Sequence, residues 1–184
     1  MQLFTANITT NYSIRQTERE LNMPYALVHR AITPLIKTYH YLKINENKLI
    51  HLNYKENHDI LAYIESLRKI ELLSKPYAKN IKEFLQEILE KFEHEYFIII
   101  LFGSAVEKTN PRDYDILFIF ENNETAGKRE RAIEVIALNH SDKFHMQAIG
   151  TESIFEMGVK RDQKNVLNEL LNKHIILYGA ESFY

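Results

Sequence analysis

The stretch 96–120 reads YFIIILFGSAVEKTNPRDYDILFIF. It opens with an unbroken apolar run from Tyr96 to Phe102, which predicts a central strand buried on both faces. A second run, Asp115-Ile116-Leu117-Phe118-Ile119-Phe120, predicts another. Between them stand Gly103-Ser104, a loop over 105–110, Pro111-Arg112 and Asp113-Tyr114-Asp115. Glycine directly after a buried strand permits unusual dihedrals and close backbone approach to a ligand. Ser104 brings a hydroxyl to the start of a short helix, where free N–H groups favour phosphate. Aspartates two apart on a strand point to the same face. Two carboxylates so close require a cation, and Mg2+ (or Mn2+), held by one or two carboxylates plus phosphate oxygens, suits them. Arg112 and Lys108 sit in the same loop and are candidates to offset phosphate charge. The competing reading is a polar turn between two strands, with Asp113 and Asp115 merely solvating it.

The residues that follow alternate helix and strand. Thr125-Ala126-Gly127 leads into a helix through Ile136, and 144–149 reads as a third strand of alternating polarity. Helices at about 151–157 and 162–173 precede a last apolar strand, His174 to Leu177, and the tail 179–184. This half is α/β. Its third strand contains no acid. His145 and Gln147 share one face of it, and Asp142 and Glu152 lie just outside its ends.

A Gly-Ser turn followed at short distance by Asp-x-Asp between two apolar strands resembles the signature of the DNA polymerase β-like nucleotidyltransferases. The likeness is greatest to the minimal nucleotidyltransferases of prokaryotes, and it covers roughly residues 96–150. The resemblance implies an α/β (α+β) nucleotidyltransferase fold with a mixed sheet. It also implies that Gly103 and Ser104 bind a nucleoside triphosphate and that Asp113 and Asp115 bind metal and serve catalysis. Relatives of this kind usually carry a third carboxylate on the neighbouring strand, where this chain offers His145 and Gln147. Some resemble antitoxins that modify a toxin partner, so a protein or an RNA is among the acceptors the resemblance allows.

Upstream, the pattern is different. Ser13 precedes a short helix with Ile14, Thr17 and Leu21 on one face. Asn22-Met23-Pro24 breaks the chain, and a second helix runs from Tyr25 to Thr38, with Leu27, Ala31, Leu35 and Val28 expected inside and Pro34 expected to kink or shorten it. Residues 41–44 and 49–52 read as two strands around a polar turn. Helix, turn, helix, hairpin is the layout of a winged helix-turn-helix, assigned to residues 1–56. Its second helix would present Tyr25, Ala26, His29, Arg30 and Thr33 to duplex DNA. A module used only for packing or homodimerisation is the alternative. Two amphipathic helices, 58–74 and 79–94, form a connector over 57–95. Their apolar stripes are Ile60, Leu61, Ile64, Leu67, Ile70 and Leu73 in the first, then Ile81, Phe84, Leu85, Ile88, Leu89 and Phe92 in the second. The α/β part occupies 96–184.

Composition narrows the function further. The chain has 184 residues, of which 45% are hydrophobic, enough for real cores. It contains no cysteine, which removes disulfides, thiolate metal sites and cysteine nucleophiles and favours a cytoplasmic location. No apolar run approaches the roughly 20 residues of a spanning helix, and no secretory pattern opens the chain, so no membrane role is expected. Seven cations against four anions over 1–56 leave +3 there and −5 in the rest, from a net charge of −2. That mild basicity accords with a nucleic-acid surface. The eight histidines show no zinc spacing.

The expected function is thus metal-dependent transfer of a nucleoside monophosphate from a triphosphate to an acceptor. A DNA-binding regulator whose second domain senses nucleotide, or is degenerate, is the alternative.

Overall fold

In the computed structural model, which describes residues 1–108, 111–159, 167 and 170–184, the chain is mixed α/β, with an amino-terminal helical region and a mixed four-stranded sheet. In the first region a short helix α1 (Gln2–Ala6), absent from the sequence reading, precedes α2 (Ile14–Leu21) and α3 (Tyr25–Lys37). Ser13 caps α2 as half of a reciprocal box: its Oγ accepts from Gln16 N–H and its own N–H donates to the Gln16 side chain. Asn22 ends α2 in the left-handed conformation, and Pro24 opens α3. The strands β1 (Leu42–Ile44) and β2 (Ile50–Leu52) pair antiparallel, and Tyr12 adds a single bridge to Ile50.

Of the set expected inside α3, Val28 is buried and Leu35 packs against the core, but Leu27 and Ala31 do not. Val28 and Ile32 are buried, whereas Leu27 is half exposed and Ala31 also faces outward. The periodicity admits either set. The 28/32 register faces the core formed by Phe4, Tyr12, Leu42, Ile50, Leu52 and Leu61. The helix continues through Pro34 as far as Lys37.

The next helix, α4 (His58–Leu73), is also rotated from its expected stripe. Leu67 and Ile70 are exposed, and the charged pair Glu65 and Arg68 is buried with Leu61, Ile64 and Leu72. A 3-10 turn (Pro76–Ala78) leads into α5 (Lys79–Lys91), whose Ile81, Phe84, Leu85 and Ile88 are all buried as the pattern predicts.

The sheet follows as β3 (Phe97–Phe102), β4 (Tyr114–Phe120), β5 (Phe144–Gly150) and β6 (His174–Tyr178), in spatial order β5-β4-β3-β6. β3 runs antiparallel to β4 and to β6, and β4 runs parallel to β5. The crossover from β4 to β5 is α6 (Asn123–His140), whose amino end Asn122 caps by accepting from Thr125 N–H. Both inner strands are buried along almost their whole length, because helices cover both faces of the sheet. α5 and α6 cover one face through Phe84, Ile88, Ile133 and Ile136. On the other face Ile98, Ile100, Leu117 and Ile119 meet Leu170, Ile154 on α7 (Thr151–Val159), and the short terminal helix α8 (Ala180–Phe183). The helix expected at 162–173 lies largely outside the described residues; Leu167 and Leu170 within it are buried. No helix among the described residues is long and apolar enough to cross a membrane.

The amino-terminal region is tied to the sheet by backbone and by charge. Ile8 N–H donates to Leu171 O at 2.8 Å, and Lys173 N–H to Ala6 O at 2.6 Å. Arg68 on α4 donates to Glu65 and to the carbonyl of His174, while Glu65 accepts from Ile176 N–H at 3.2 Å. A buried carboxylate and guanidinium therefore satisfy each other and backbone groups on the outer edge of β6 that no described strand pairs.

Candidate functional site at the carboxyl end of β3

β3 delivers its chain to Gly103, whose φ of +71° lies in the left-handed region. A Cβ at this position would stand 3.0 Å from Asp115 Oδ2. The glycine expected from the sequence is thus required twice over, by its backbone conformation and by the carboxylate pressed against it. Residues 103–106 form one 3-10 turn, with Ser104 exposed and its carbonyl accepting from Glu107 and Lys108 N–H.

Asp115 pairs in register with Phe102 on β3 and with His145 on β5. Asp113 precedes β4 by one residue. Between the two aspartates Tyr114 turns the opposite way into the core, its hydroxyl donating to Tyr77 O at 3.3 Å. The structure brings both carboxylates to the same imidazole. Asp113 Oδ1 lies 3.9 Å from His145 Nε2, and Asp115 Oδ1 lies 3.8 Å from Nδ1. All three side chains remain between a third and three-fifths exposed, so a ligand can reach them.

Of the groups named beside the two aspartates, His145 is the one that stands next to both. Gln147 pairs with Leu117, two residues further along, and is exposed. Glu152 belongs to the far end of β5, where its carboxylate accepts from Asn123 N–H at the start of α6. Asp142 is exposed ahead of β5. Arg112 is exposed beside Asp113, and Glu107 pairs with Lys173 at 3.0 Å.

The donor set fits a hard divalent ion held by two carboxylates and completed by phosphate and water. It does not make a closed protein cage, since no group of three or more His, Asp or Glu side chains among the described residues is arranged to hold a metal.

The residues named for DNA are grouped on the outer side of α3. The Tyr25 and His29 rings stack with centroids 6.0 Å apart, and Arg30 is exposed. Thr33 is turned back on its own helix, its hydroxyl donating to His29 O at 2.7 Å.

Two buried polar features stand outside this site. Glu65 and Arg68, which lie off the apolar stripe expected for α4, are buried where that helix packs against β6. His174 is fully buried with both ring nitrogens unpartnered, and desolvation, with Arg68 adding to it, lowers its pKa to about 3.

No protein-family model matches the chain, and no curated protein is similar to it in sequence. Among solved structures the chain is similar to the crystal structure of the Thermotoga maritima IclR, at 12% identity and a TM-score of 0.27. That match covers 56% of this chain and 37% of the other, and a likeness of this size carries no argument about fold or function.

Proposed function

We propose that the chain is a metal-dependent nucleotidyltransferase of the polymerase β-like type, preceded by a winged helix. The observation that carries the reading is the meeting of Gly103, Asp113, Asp115 and His145 at one end of a buried sheet. Asp113 and Asp115 would hold Mg2+ or Mn2+, which when bound offsets charge on a triphosphate. The bare Gly103 lets the Asp115 carboxylate lie against the turn, and Ser104 and Arg112 offer the triphosphate a hydroxyl and a guanidinium. In the reaction, an acceptor hydroxyl on RNA or protein attacks the α-phosphorus of the nucleoside triphosphate. The new O–P bond forms as the bond to the β-phosphate oxygen breaks, the hydroxyl proton passes to solvent water, and pyrophosphate leaves. The chain's contribution is alignment and electrostatics rather than covalent chemistry.

A second reading has one observation in its favour: an imidazole, not a carboxylate, faces Asp113 and Asp115. In that reading the domain binds nucleotide without turnover, and the winged helix makes the protein a DNA-binding regulator. Labelled triphosphate offered with Mg2+ or Mn2+ and total RNA or protein separates the two. Incorporation that disappears in an Asp113→Asn, Asp115→Asn double variant supports the transferase. Binding of triphosphate without incorporation supports the regulator, and full incorporation by the double variant refutes the site.

A further inference from the structure

From Leu21 to Asn45 the sequence contains no aspartate or glutamate, while it carries Arg30, Lys37 and Lys43. Arg30 and Lys37 are both exposed on α3, with Lys37 in its last turn. Seven residues apart, they share one helix face, and no acid within the helix offsets them.

A pair of rings follows that face. Tyr39 and Tyr41 stack with centroids 5.4 Å apart and planes 17° from parallel. Lys37 precedes the pair by two residues, Lys43 follows it by two, and Tyr39 is 53% exposed. The backbone beneath is fixed. Tyr39 N–H donates to Pro34 O at 3.0 Å and Tyr41 N–H to Leu35 O at 2.9 Å, while Tyr41 O accepts from Asn53 N–H at 3.0 Å. His40 between them holds φ +55°, the left-handed region that a residue other than glycine rarely occupies. Its carbonyl accepts from the side chains of Asn53 and Asn57. Core packing does not account for this ordering, since neither tyrosine belongs to a core cluster. A carboxylate does reach the patch: Glu56 pairs with Lys43 Nζ at 3.3 Å. Both side chains are about half exposed or more, so the pair is weak and a phosphate can compete for the lysine.

We propose that Tyr39 and Tyr41, with Lys37 and Lys43, bind single-stranded nucleic acid. An unpaired base stacks on the Tyr39 ring while the lysines meet the flanking phosphates. A duplex offers no such base, because its faces are already stacked. A proline-rich peptide also docks on aromatic rings, but it brings no charge for the lysines. The proposal rests on the reading of α3 as a nucleic-acid face and is independent of the aspartate site.

The test titrates the full chain, without triphosphate or divalent ion, into labelled oligothymidylate and oligouridylate of about 15 nucleotides. A duplex of the same length, and an abasic strand that keeps the phosphates and lacks the bases, complete the set. Anisotropy should show salt-sensitive binding of at least one base-bearing single strand, with weaker binding of the abasic strand and of the duplex. Tyr39→Ala should weaken the base-bearing strand about tenfold, to the level of the abasic one, whereas Tyr39→Phe, which keeps the ring, should bind like the wild type. Lys37→Gln should reduce the slope of log affinity against log salt by about 0.7 on every single strand, the abasic one included. Equal affinity for abasic and base-bearing strands, or full binding by Tyr39→Ala, overturns the stacking; an unchanged slope in Lys37→Gln overturns the role of that lysine. Duplex binding that exceeds both single strands and ignores Tyr39 overturns the single-strand assignment while leaving α3 a duplex-binding helix. Failure of every nucleic acid overturns the proposal and the reading of α3 with it. Saturable binding of a proline-rich peptide, lost in Tyr39→Ala, would then assign the rings to a protein partner.

Discussion

Asp115 and His145 stand directly opposite one another on parallel neighbouring strands, with Asp115 Oδ1 3.8 Å from His145 Nδ1. A neutral imidazole brings a nitrogen donor to a divalent ion but no negative charge, while a carboxylate brings both. His145→Asp should therefore tighten Mg2+ in the presence of a non-hydrolysable triphosphate by about tenfold, as Coulombic attraction at this half-exposed depth is worth only about 1–2 kcal/mol. Calorimetry checks it. Unchanged affinity would mean that the two aspartates do not share their ion with the neighbouring strand.

Gly103 offers a test that leaves every charged group in place. Alanine there must adopt φ near +71° and place a methyl 3.0 Å from Asp115 Oδ2. The backbone strain costs about 1 kcal/mol, and the contact moves the carboxylate. Gly103→Ala should lower the denaturation midpoint slightly yet weaken triphosphate binding by about tenfold or more. A variant that loses stability but binds normally would make the glycine a purely structural requirement.

These two residues also mark how far the sequence could be read. The left-handed turn at Gly103 and the common face of the two aspartates were legible because glycine directly after a buried strand and a two-residue spacing on a strand each dictate local geometry. His145 was identifiable as one of two groups on a strand face, but choosing it over Gln147 needed the register between β4 and β5. Register is set by α6 and by core packing over long sequence separation, which local periodicity does not contain. The helices show the same limit. α5 buried the stripe its pattern gave, whereas α3 and α4 each carry apolar residues on two faces. Their rotation was decided by neighbours: Val28 and Ile32 won over Leu27 and Ala31, and Arg68 was drawn inward by the His174 carbonyl.

That last pair gives a stability prediction. Arg68→Met leaves the Glu65 carboxylate buried, still accepting from Ile176 N–H but without its cation. The expected loss is about 3–5 kcal/mol, read as a shift in the urea midpoint. In the double variant Glu65→Leu, Arg68→Met both charges are gone, and much of the loss should be recovered. Equal damage from the single and double variants would assign the pair's role to the backbone groups they satisfy rather than to charge.

His174 fixes a pH dependence. Its folded pKa, about 3, lies below the ordinary value of 6.5, so the native state holds the ring neutral while the unfolded state takes up a proton. The stability it contributes is fully present above pH 6.5 and is lost as pH falls through that value toward 3, by at most about 1.4 kcal/mol per pH unit. Both ring nitrogens are unpartnered, so His174→Leu sacrifices no hydrogen bond. The variant should be as stable as the wild type at pH 7 and distinctly more stable at pH 4.5, measured by denaturant titration. Identical pH profiles would show that the ring finds water or a partner when charged.

The outer face of α3 makes the prediction that bears on the amino-terminal region. If this helix meets duplex DNA, Arg30, exposed and adjacent to the Tyr25–His29 stack, is placed to contact phosphate or a base edge. Thr33 is not, because its hydroxyl is already committed to His29 O. Arg30→Ala should weaken DNA binding several-fold and reduce the slope of log affinity against log salt by about 1, while Thr33→Ala should change neither. Anisotropy titrations of a random duplex at several salt concentrations supply both quantities. The double variant Val28→Leu, Ile32→Val, which repacks the inner face with residues of similar bulk, serves as the control for damage to the fold. If Arg30→Ala binds DNA like the wild type across the salt series, the outward face of α3 is not a nucleic-acid surface, and the region's role reverts to packing or self-association.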